Sequence, residues 1–342
     1  MLSFRVTILT VAACLFATSS SFVRSQTAPS LPTPPGSGVP KPAGAAGDLK
    51  VLDWAGFRAA ITYTFDDSIP SQIANYPLLQ ATGARMTFFL VGASDGSSPT
   101  WAQAAKDGHE LANHTEHHCH AGGAGCAWGT YAGSLEAEYD LCTSHIEQAY
   151  GVPAVWTTAS PYGDMGYDNV AKGRFFLNRG VRGGQIAPND QSDPSNLPTF
   201  VAAAGQTAST FNPLIDSAHA AGNWQVLLFH SLGGDGGYAP VKVDDVIASI
   251  KHAQSMGDVW IDTFVNVGAY WAGQKAVTNA TRTQSGEKTT LAWTLPDHFP
   301  PGRYVRVTIG GGTLSQGGRV LPWNSAGYYE VALDPGSLTI SR

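Results

Sequence analysis

The chain has 342 residues, of which 43% are hydrophobic and only 13% are charged, so it has ample material for a large buried core. Its 26 acidic and 20 basic residues give a net charge of −6. This balance, without a polybasic segment, argues against binding to nucleic acid or to anionic lipid. The length predicts two domains, or one large domain with an appendage.

Residues 1–25 have the features of a secretory signal peptide. Arg5 gives the start a positive charge, and the apolar run 6–17 fits an h-region. This run is shorter than the ~20 residues that span a bilayer, so we expect no transmembrane segment in the mature chain. A lipoprotein signal at Cys14 is disfavoured because apolar residues continue past it. We expect a secreted protein, either extracellular or periplasmic.

Composition predicts three further regions. Residues 26–49 are rich in Pro, Gly, Ala and Ser and predict a semi-extended linker. Residues 50–273 alternate strand-like and helix-like segments, which predicts an α/β domain with a parallel sheet. Residues 276–342 contain short β runs separated by turns and predict a small β-sandwich-like domain.

Six segments of the central region predict strands. In chain order they are AAITYTF, RMTFFLVGA, AVWTTAS, RGVRGG, WQVLLFHS and DVWIDTF. Helical spacing occurs in SLEAEYDLCTSHIEQAY and in VDDVIASIKHAQSMG. The first of these helices would place one apolar face inward, formed by Leu135, Tyr139, Cys142, Ile146 and Tyr150.

Two adjacent aspartates, Asp66 and Asp67, follow the first predicted strand. Considered alone, the pair is best explained as a strand end or a helix cap. The functional alternative is that one carboxylate binds a metal while its neighbour acts as a base. The carboxyl ends of parallel strands are where barrel enzymes build their sites, which makes this alternative worth testing.

The segment HELANHTEHHCH, residues 109–120, contains five of the ten histidines. The spacing of His114 and His118 can place two imidazoles on one face of a helical turn. Two imidazoles and one carboxylate form a common ligand set for a catalytic divalent metal. Spacing alone leaves His117 and His120 as competing ligands. A solvated His-rich loop that binds metal adventitiously is the non-catalytic alternative.

Two further strand ends carry polar groups. His230 ends an apolar strand and precedes a glycine-rich loop, so it is either a core histidine or a general acid. The segment 161–163, Pro-Tyr-Gly, is either a simple turn or a source of backbone N–H groups for a developing oxyanion.

Taken in order, TFDD, HTEHH, SPYG and LLFH resemble the motifs of the NodB-homology polysaccharide deacetylases, carbohydrate esterase family four. The resemblance covers residues 55–272 and implies a distorted (β/α)7-type barrel. It implies that Asp66 is the catalytic base and His230 the general acid. It also implies metal ligands and substrate contacts, with His118 selected over its neighbour: Asp67, His114 and His118 for the metal, Tyr162 for the oxyanion, and Leu228 for the acetyl pocket.

The resemblance implies a hydrolase that uses metal-activated water to remove acetyl groups from a carbohydrate, such as the N-acetylglucosamine units of chitin or peptidoglycan. Zn²⁺ is the metal most often implied, and ligand type does not exclude Co²⁺, Ni²⁺ or Mn²⁺. One alternative is an O-acetyl esterase acting on xylan. Another, from a different class, is a catalytically silent carbohydrate-binding protein.

The chain departs from the family pattern at two places. Ala159 stands where an arginine often orients the base, and Arg182 from the next predicted strand is the candidate replacement. The acidic motif that tunes the acid histidine is represented only by Asp190 and Asp193, and Pro194 stands where a tryptophan is usual.

Three cysteines lie outside the predicted signal peptide. An oxidising compartment would leave one disulfide and one free thiol. The short segment CHAGGAGC favours a Cys119–Cys126 pair, with Cys142 free.

Overall fold

The computed structural model describes residues 30–342. The predicted signal peptide and the first residues of the predicted linker lie outside this range. Within it, none of the helices combines the length and the apolar character that crossing a membrane requires.

The described residues form strands and helices in alternation, followed by strands alone. The strands are β1 (Lys50–Val51), β2 (Ala59–Asp66), β3 (Thr87–Leu90), β4 (Glu110–Asn113), β5 (Thr157–Ala159), β6 (Leu177–Arg179), β7 (Phe200–Val201), β8 (Trp224–Phe229), β9 (Val259–Ile261), β10 (Thr281–Ser285), β11 (Lys288–Ala292), β12 (Tyr304–Thr308), β13 (Thr313–Gln316), β14 (Arg319–Val320), β15 (Tyr329–Ala332) and β16 (Ser337–Ser341). The α-helices are α1 (Pro70–Gln80), α2 (Pro99–Lys106), α3 (Leu135–Tyr150), α4 (Asp168–Lys172), α5 (Ala208–Ala221), α6 (Val243–Ser255) and α7 (Phe264–Thr278).

An eight-stranded parallel sheet organises the central region, in the order β6-β5-β4-β3-β2-β8-β7, with β9 paired beside the start of β2. All eight residues of β2 are buried, as expected of a parallel strand covered on both faces. The sheet curls, because Leu197 bridges Arg179 of β6 while Phe200 and Val201 pair with β8. The predicted α/β barrel class is confirmed.

Helix α3 shows how local sequence sets an element. Ser134 precedes it and accepts a hydrogen bond from the Ala137 N–H at 3.1 Å, which is an N-cap. Gly151 ends it in the left-handed conformation with φ 68°. The predicted apolar face is buried at Tyr139, Cys142, Ile146 and Tyr150.

The C-terminal region folds into two antiparallel sheets, as its β runs predicted. Their strand orders are β1-β12-β15 and β10-β11-β16-β13-β14. Helix α7 is buried over most of its length because it lies between the barrel and these sheets, and one apolar cluster runs from Trp224 through Trp271 to Leu333.

The described part of the predicted linker is extended and packs on the C-terminal sheets. Arg306, which is 1% exposed, donates hydrogen bonds to the carbonyls of Pro32 and Ala55. Trp323 donates to the carbonyl of Val39 at 2.9 Å. The boundaries proposed for the separate domains stay a prediction.

Candidate active site

The aspartate pair lies at the carboxyl end of β2, where the chain leaves the sheet. Adjacent strand residues would point to opposite faces, but Asp67 and Ser68 have φ values of 79° and 51°. The Ser94 hydroxyl donates to the Asp67 carbonyl, and the Val91 N–H donates to the Ser68 hydroxyl, both at 2.9 Å. This held turn brings the carboxylates of Asp66 and Asp67 into the same cavity.

The histidines after β4 lie in a loop, so the predicted helical turn is wrong. Thr115 and His118 both have positive φ, at 66° and 50°. Asn113 Oδ1 accepts from the Thr115 N–H at 2.8 Å, and Thr115 Oγ1 accepts from the His118 N–H at 3.0 Å. These local hydrogen bonds, which compete with helix formation, turn both imidazoles toward β2.

Asp67, His114 and His118 meet in a buried cluster. Nε2 of each histidine lies 3.5 Å from Asp67 Oδ1, and the three candidate ligand atoms lie within 4.8 Å of one another. The competing histidines are elsewhere: His117 Nδ1 lies 3.0 Å from Glu138 Oε1, and His120 stacks on Tyr162. Among the described residues, the three implied ligands are brought together in a cluster that could hold a metal ion.

The donor set fits a divalent cation. The His114 Nδ1 lies 2.7 Å from the Ala159 carbonyl, which can only accept a hydrogen bond, so Nδ1 carries the proton. The lone pair of Nε2 is then available to bind a cation. Asp67 Oδ1 is buried without a hydrogen-bond partner among the described residues. Burial lowers the pKa of His118 to about 3, which keeps the imidazole neutral. Two imidazoles and a carboxylate match a catalytic metal site with open positions.

Asp66 is held by an arginine. Its Oδ2 forms an ion pair with Arg179 Nη2, and both side chains are almost completely buried. The guanidinium also lies 5.3 Å from the centre of the Phe89 ring. Asp66 Oδ1 has no hydrogen-bond partner among the described residues and lines the cavity. The arrangement leaves this oxygen available to a proton donor.

The proposed base-orienting residue Arg182 is therefore wrong, and the predicted strand RGVRGG shares only Arg179 with β6. Arg182 is exposed, and β6 ends three residues earlier, at Arg179. The buried residues that precede Arg179 form the strand, whereas the glycine-rich segment after it was taken for the strand. Arg179 is the last residue of a parallel strand that pairs with β5. Because sites form at the carboxyl ends of such strands, this location could have identified Arg179 from the sequence.

The remaining predicted residues line one cavity of about 600 Å³ above the sheet. Besides the two aspartates and the two clustered histidines, it contains Tyr162, Leu228 and His230. Burial lowers the pKa of His230, and the carboxylates of Asp66 and Asp67 oppose that shift. The structure thus brings the predicted residues together, and the role of each stays a prediction.

The acidic residues predicted to tune His230 lie elsewhere. Asp190 accepts hydrogen bonds from the Ala187 N–H and from Ser192, and Asp193 accepts from the Ser195 N–H. Both carboxylates stabilise their own loop.

Aromatic residues at the cavity mouth were missed from the sequence. The Trp128 ring lies 5.6 Å from His118, and Tyr238, which is 69% exposed, lies 4.9 Å from His230. Asp235 holds the loop of Tyr238 by accepting from the Ser71 and Gly237 N–H groups at 2.9 and 3.0 Å. Loop aromatics have no periodic signal, so only their placement identifies them.

The cysteines pair as predicted. Cys119 and Cys126 form a disulfide, and Cys142 is a free, buried thiol.

Comparison with known proteins gives a family match over part of the chain. Residues 57–173 match the family model described as polysaccharide deacetylase. No curated protein matches the chain.

Three solved structures with a similar backbone path come from bacterial and metagenomic sources. A putative polysaccharide deacetylase from Mycobacterium smegmatis is 16% identical, with 69% of this chain and 96% of that chain covered and a TM-score of 0.48. The Xyl-CE4 domain of a xylanase from the hindgut metagenome of Trinervitermes trinervoides is 19% identical, with 61% and 89% covered and a TM-score of 0.43. A family 4 acetyl xylan esterase from Clostridium thermocellum, in complex with cobalt, is 15% identical, with 61% and 89% covered and a TM-score of 0.41.

Proposed function

We propose, from the premise that residues 57–173 belong to the polysaccharide deacetylase family, that the protein is a secreted, metal-dependent hydrolase of acetylated glycans. Its proposed substrate is a glycan that contains N-acetylglucosamine, such as chitin or peptidoglycan. The observation that carries this proposal is Asp66, a buried carboxylate beside the Asp67–His114–His118 cluster and paired with Arg179. A carbohydrate-binding protein without catalysis would need neither this carboxylate nor its arginine.

The residues around the cluster divide the reaction among them. When bound by Asp67, His114 and His118, a divalent ion supplies Lewis-acid polarisation and increases the acidity of water. Asp66 Oδ1 accepts the proton of the attacking water, because its other oxygen is held by Arg179. The backbone N–H of Tyr162 stabilises the developing oxyanion. His230 donates a proton to the departing nitrogen or oxygen.

Acetate release from a glycan panel tests this function. Purified protein would be incubated with chitooligosaccharides, peptidoglycan and acetylxylan, with Zn²⁺, Co²⁺, Ni²⁺ or Mn²⁺ added and metal content measured in parallel. We expect acetate from a glycan containing N-acetylglucosamine and loss of that activity on chelation. If acetate were released from acetylxylan alone, the proposed substrate class would be wrong. If no acetate were released with any metal, the proposed activity would be refuted.

The mouth of the cavity supports a carbohydrate substrate. Nine large hydrophobic side chains are exposed among the described residues, and three of them, Tyr162, Val181 and Tyr238, line this cavity. Clustered exposed apolar groups mark binding surfaces, and aromatic rings offer flat faces with polar edges. Trp128 follows β4 and Tyr238 follows β8, so they lie on opposite sides of β2 along the sheet.

Truncation of these aromatics should weaken glycan binding and leave the chemistry intact. Trp128→Ala and Tyr238→Ala are each expected to raise the KM for chitooligosaccharides about tenfold, equal to ~1.4 kcal/mol of lost contact. Hydrolysis of para-nitrophenyl acetate, which is too small to reach both rings, should change little. Leu78→Ala, an exposed residue outside the cavity, is the control. An unchanged KM in both variants would contradict this role for the cavity mouth.

A further inference from the structure

The loop closed by the Cys119–Cys126 disulfide connects two parts of the active site. It begins directly after His118 in the metal-binding cluster. It also contacts the segment 160–167, which follows β5 and contains Tyr162. The two segments come from neighbouring strands, so their loops lie side by side at the carboxyl edge of the sheet.

Several contacts fasten the segment 160–167 to this disulfide loop. The Tyr162 hydroxyl donates to the Gly125 carbonyl at 2.9 Å, and the Tyr162 ring stacks on His120 with ring centres 4.0 Å apart. Asp164 Oδ2 accepts from the Ala121 N–H at 2.9 Å. The buried Tyr167 hydroxyl donates to the Cys119 carbonyl at 2.8 Å. Both ends of the segment are therefore held by one covalently closed loop.

These contacts hold Tyr162 in a backbone conformation that it would not keep by itself. Its φ of 58° lies in the left-handed region, where a residue with a Cβ persists only if its surroundings impose it. The Tyr162 side chain is 49% exposed, so core packing cannot supply all of that restraint. The hydroxyl bond to Gly125 and the stack on His120 add restraint, together with a contact of the ring with His118.

We infer that the disulfide-closed loop positions the Tyr162 backbone N–H, through the Tyr162 side chain, relative to the metal-binding cluster. Tyr162 is thus a positioning residue by its hydroxyl and ring, in addition to the contact proposed for its main chain. The catalytic consequence rests on the proposed function, since oxyanion donors contribute to turnover only when they are aimed at the developing charge. Loosening the loop lowers kcat and leaves metal binding and KM nearly unchanged.

Three variants test this inference: Tyr162→Phe, Cys119→Ser with Cys126→Ser, and their combination. Tyr162→Phe keeps the ring and removes only the bond to Gly125, so we expect kcat to fall about tenfold with KM within about twofold. Because both changes break the same connection, the combined variant should lose no more than the cysteine variant alone. Tyr131→Phe, whose ring packs against Gly123 of the same loop but does not line the cavity, is the matched control.

Amide hydrogen exchange supplies a readout that does not depend on activity. Exchange in the segment 160–167 should be faster in Tyr162→Phe and in the cysteine variant and unchanged in Tyr131→Phe. Metal content should be equal in the wild type and all four variants. Unchanged exchange in the segment, or kcat losses that simply multiply in the combined variant, would overturn the inference. If the wild-type protein releases no acetate, the proposed function fails, while the exchange data still decide whether the loop holds Tyr162.

Discussion

Asp66→Asn is expected to lower turnover by about 100- to 10,000-fold while metal binding persists, since removing a general base typically costs this much. Asn keeps the shape of the side chain and can still bond to Arg179, but its amide cannot accept the proton of the attacking water. Asp66 Oδ2 lies 3.5 Å from His114 Nε2, yet the cluster of candidate ligand atoms is formed by Asp67, His114 and His118. The loss should therefore be in kcat.

The neighbouring residue is the matched control for this experiment. Asp67→Asn replaces the carboxylate of the cluster, so we expect it to lose metal first and activity as a consequence. Metal content of both variants would be measured by elemental analysis after dialysis, together with acetate release at saturating metal. Metal loss in Asp66→Asn, or full activity in that variant, would contradict the proposed division between the two aspartates.

Arg179→Ala is expected to lower the free energy of unfolding by about 3–5 kcal/mol, the usual cost of removing one partner from a buried ion pair. Arg179 is 1% exposed and Asp66 is 2% exposed, so both charges of the ion pair are largely removed from water. Activity should fall as well, because Asp66 loses the group that holds its Oδ2. Arg179→Lys should recover part of the stability, although a single ammonium cannot reproduce the planar fork of arginine.

Arg182→Ala is the control, since it removes an exposed arginine three residues further along the chain. We expect a change within about 0.5 kcal/mol for this variant and normal acetate release. Denaturant unfolding with linear extrapolation gives both free energies. If Arg182→Ala were the damaging change and Arg179→Ala the silent one, the assignment of the base-orienting arginine would be reversed.

The short motifs at strand ends carried most of what could be predicted. TFDD contains the carboxylates of the site and HTEHH contains the imidazoles of the cluster, and each motif lies at the end of one strand. Such a motif predicts which metal-donor atoms are available at the end of one strand. The alternation of strand-like and helix-like segments states that these ends share one edge of a parallel sheet. These two facts predicted the parallel α/β sheet and the available donor atoms, whereas the resemblance to the deacetylase motifs implied the barrel and selected the three clustered residues.

Local conformation was less predictable than residue identity. The spacing of His114 and His118 suggested a helical turn, but hydrogen bonds accepted by the side chains of Asn113 and Thr115 stabilise a loop with two positive φ values. A short polar side chain can satisfy a nearby backbone N–H in either conformation. The surrounding structure therefore decides whether this segment forms a helical turn or a loop.

The amino-acid sequence by itself determined the barrel class, the parallel β2 strand that ends at the aspartate pair, and the donor atoms available for a metal. Only the tertiary structure decided which arginine holds Asp66, because Arg179 lies 113 residues away and meets it through the order and curl of the sheet. The same holds for Tyr238 at the cavity mouth and for the loop that holds Tyr162. Contacts between loops from different strands depend on packing of the whole sheet, and no local pattern of residues encodes that packing.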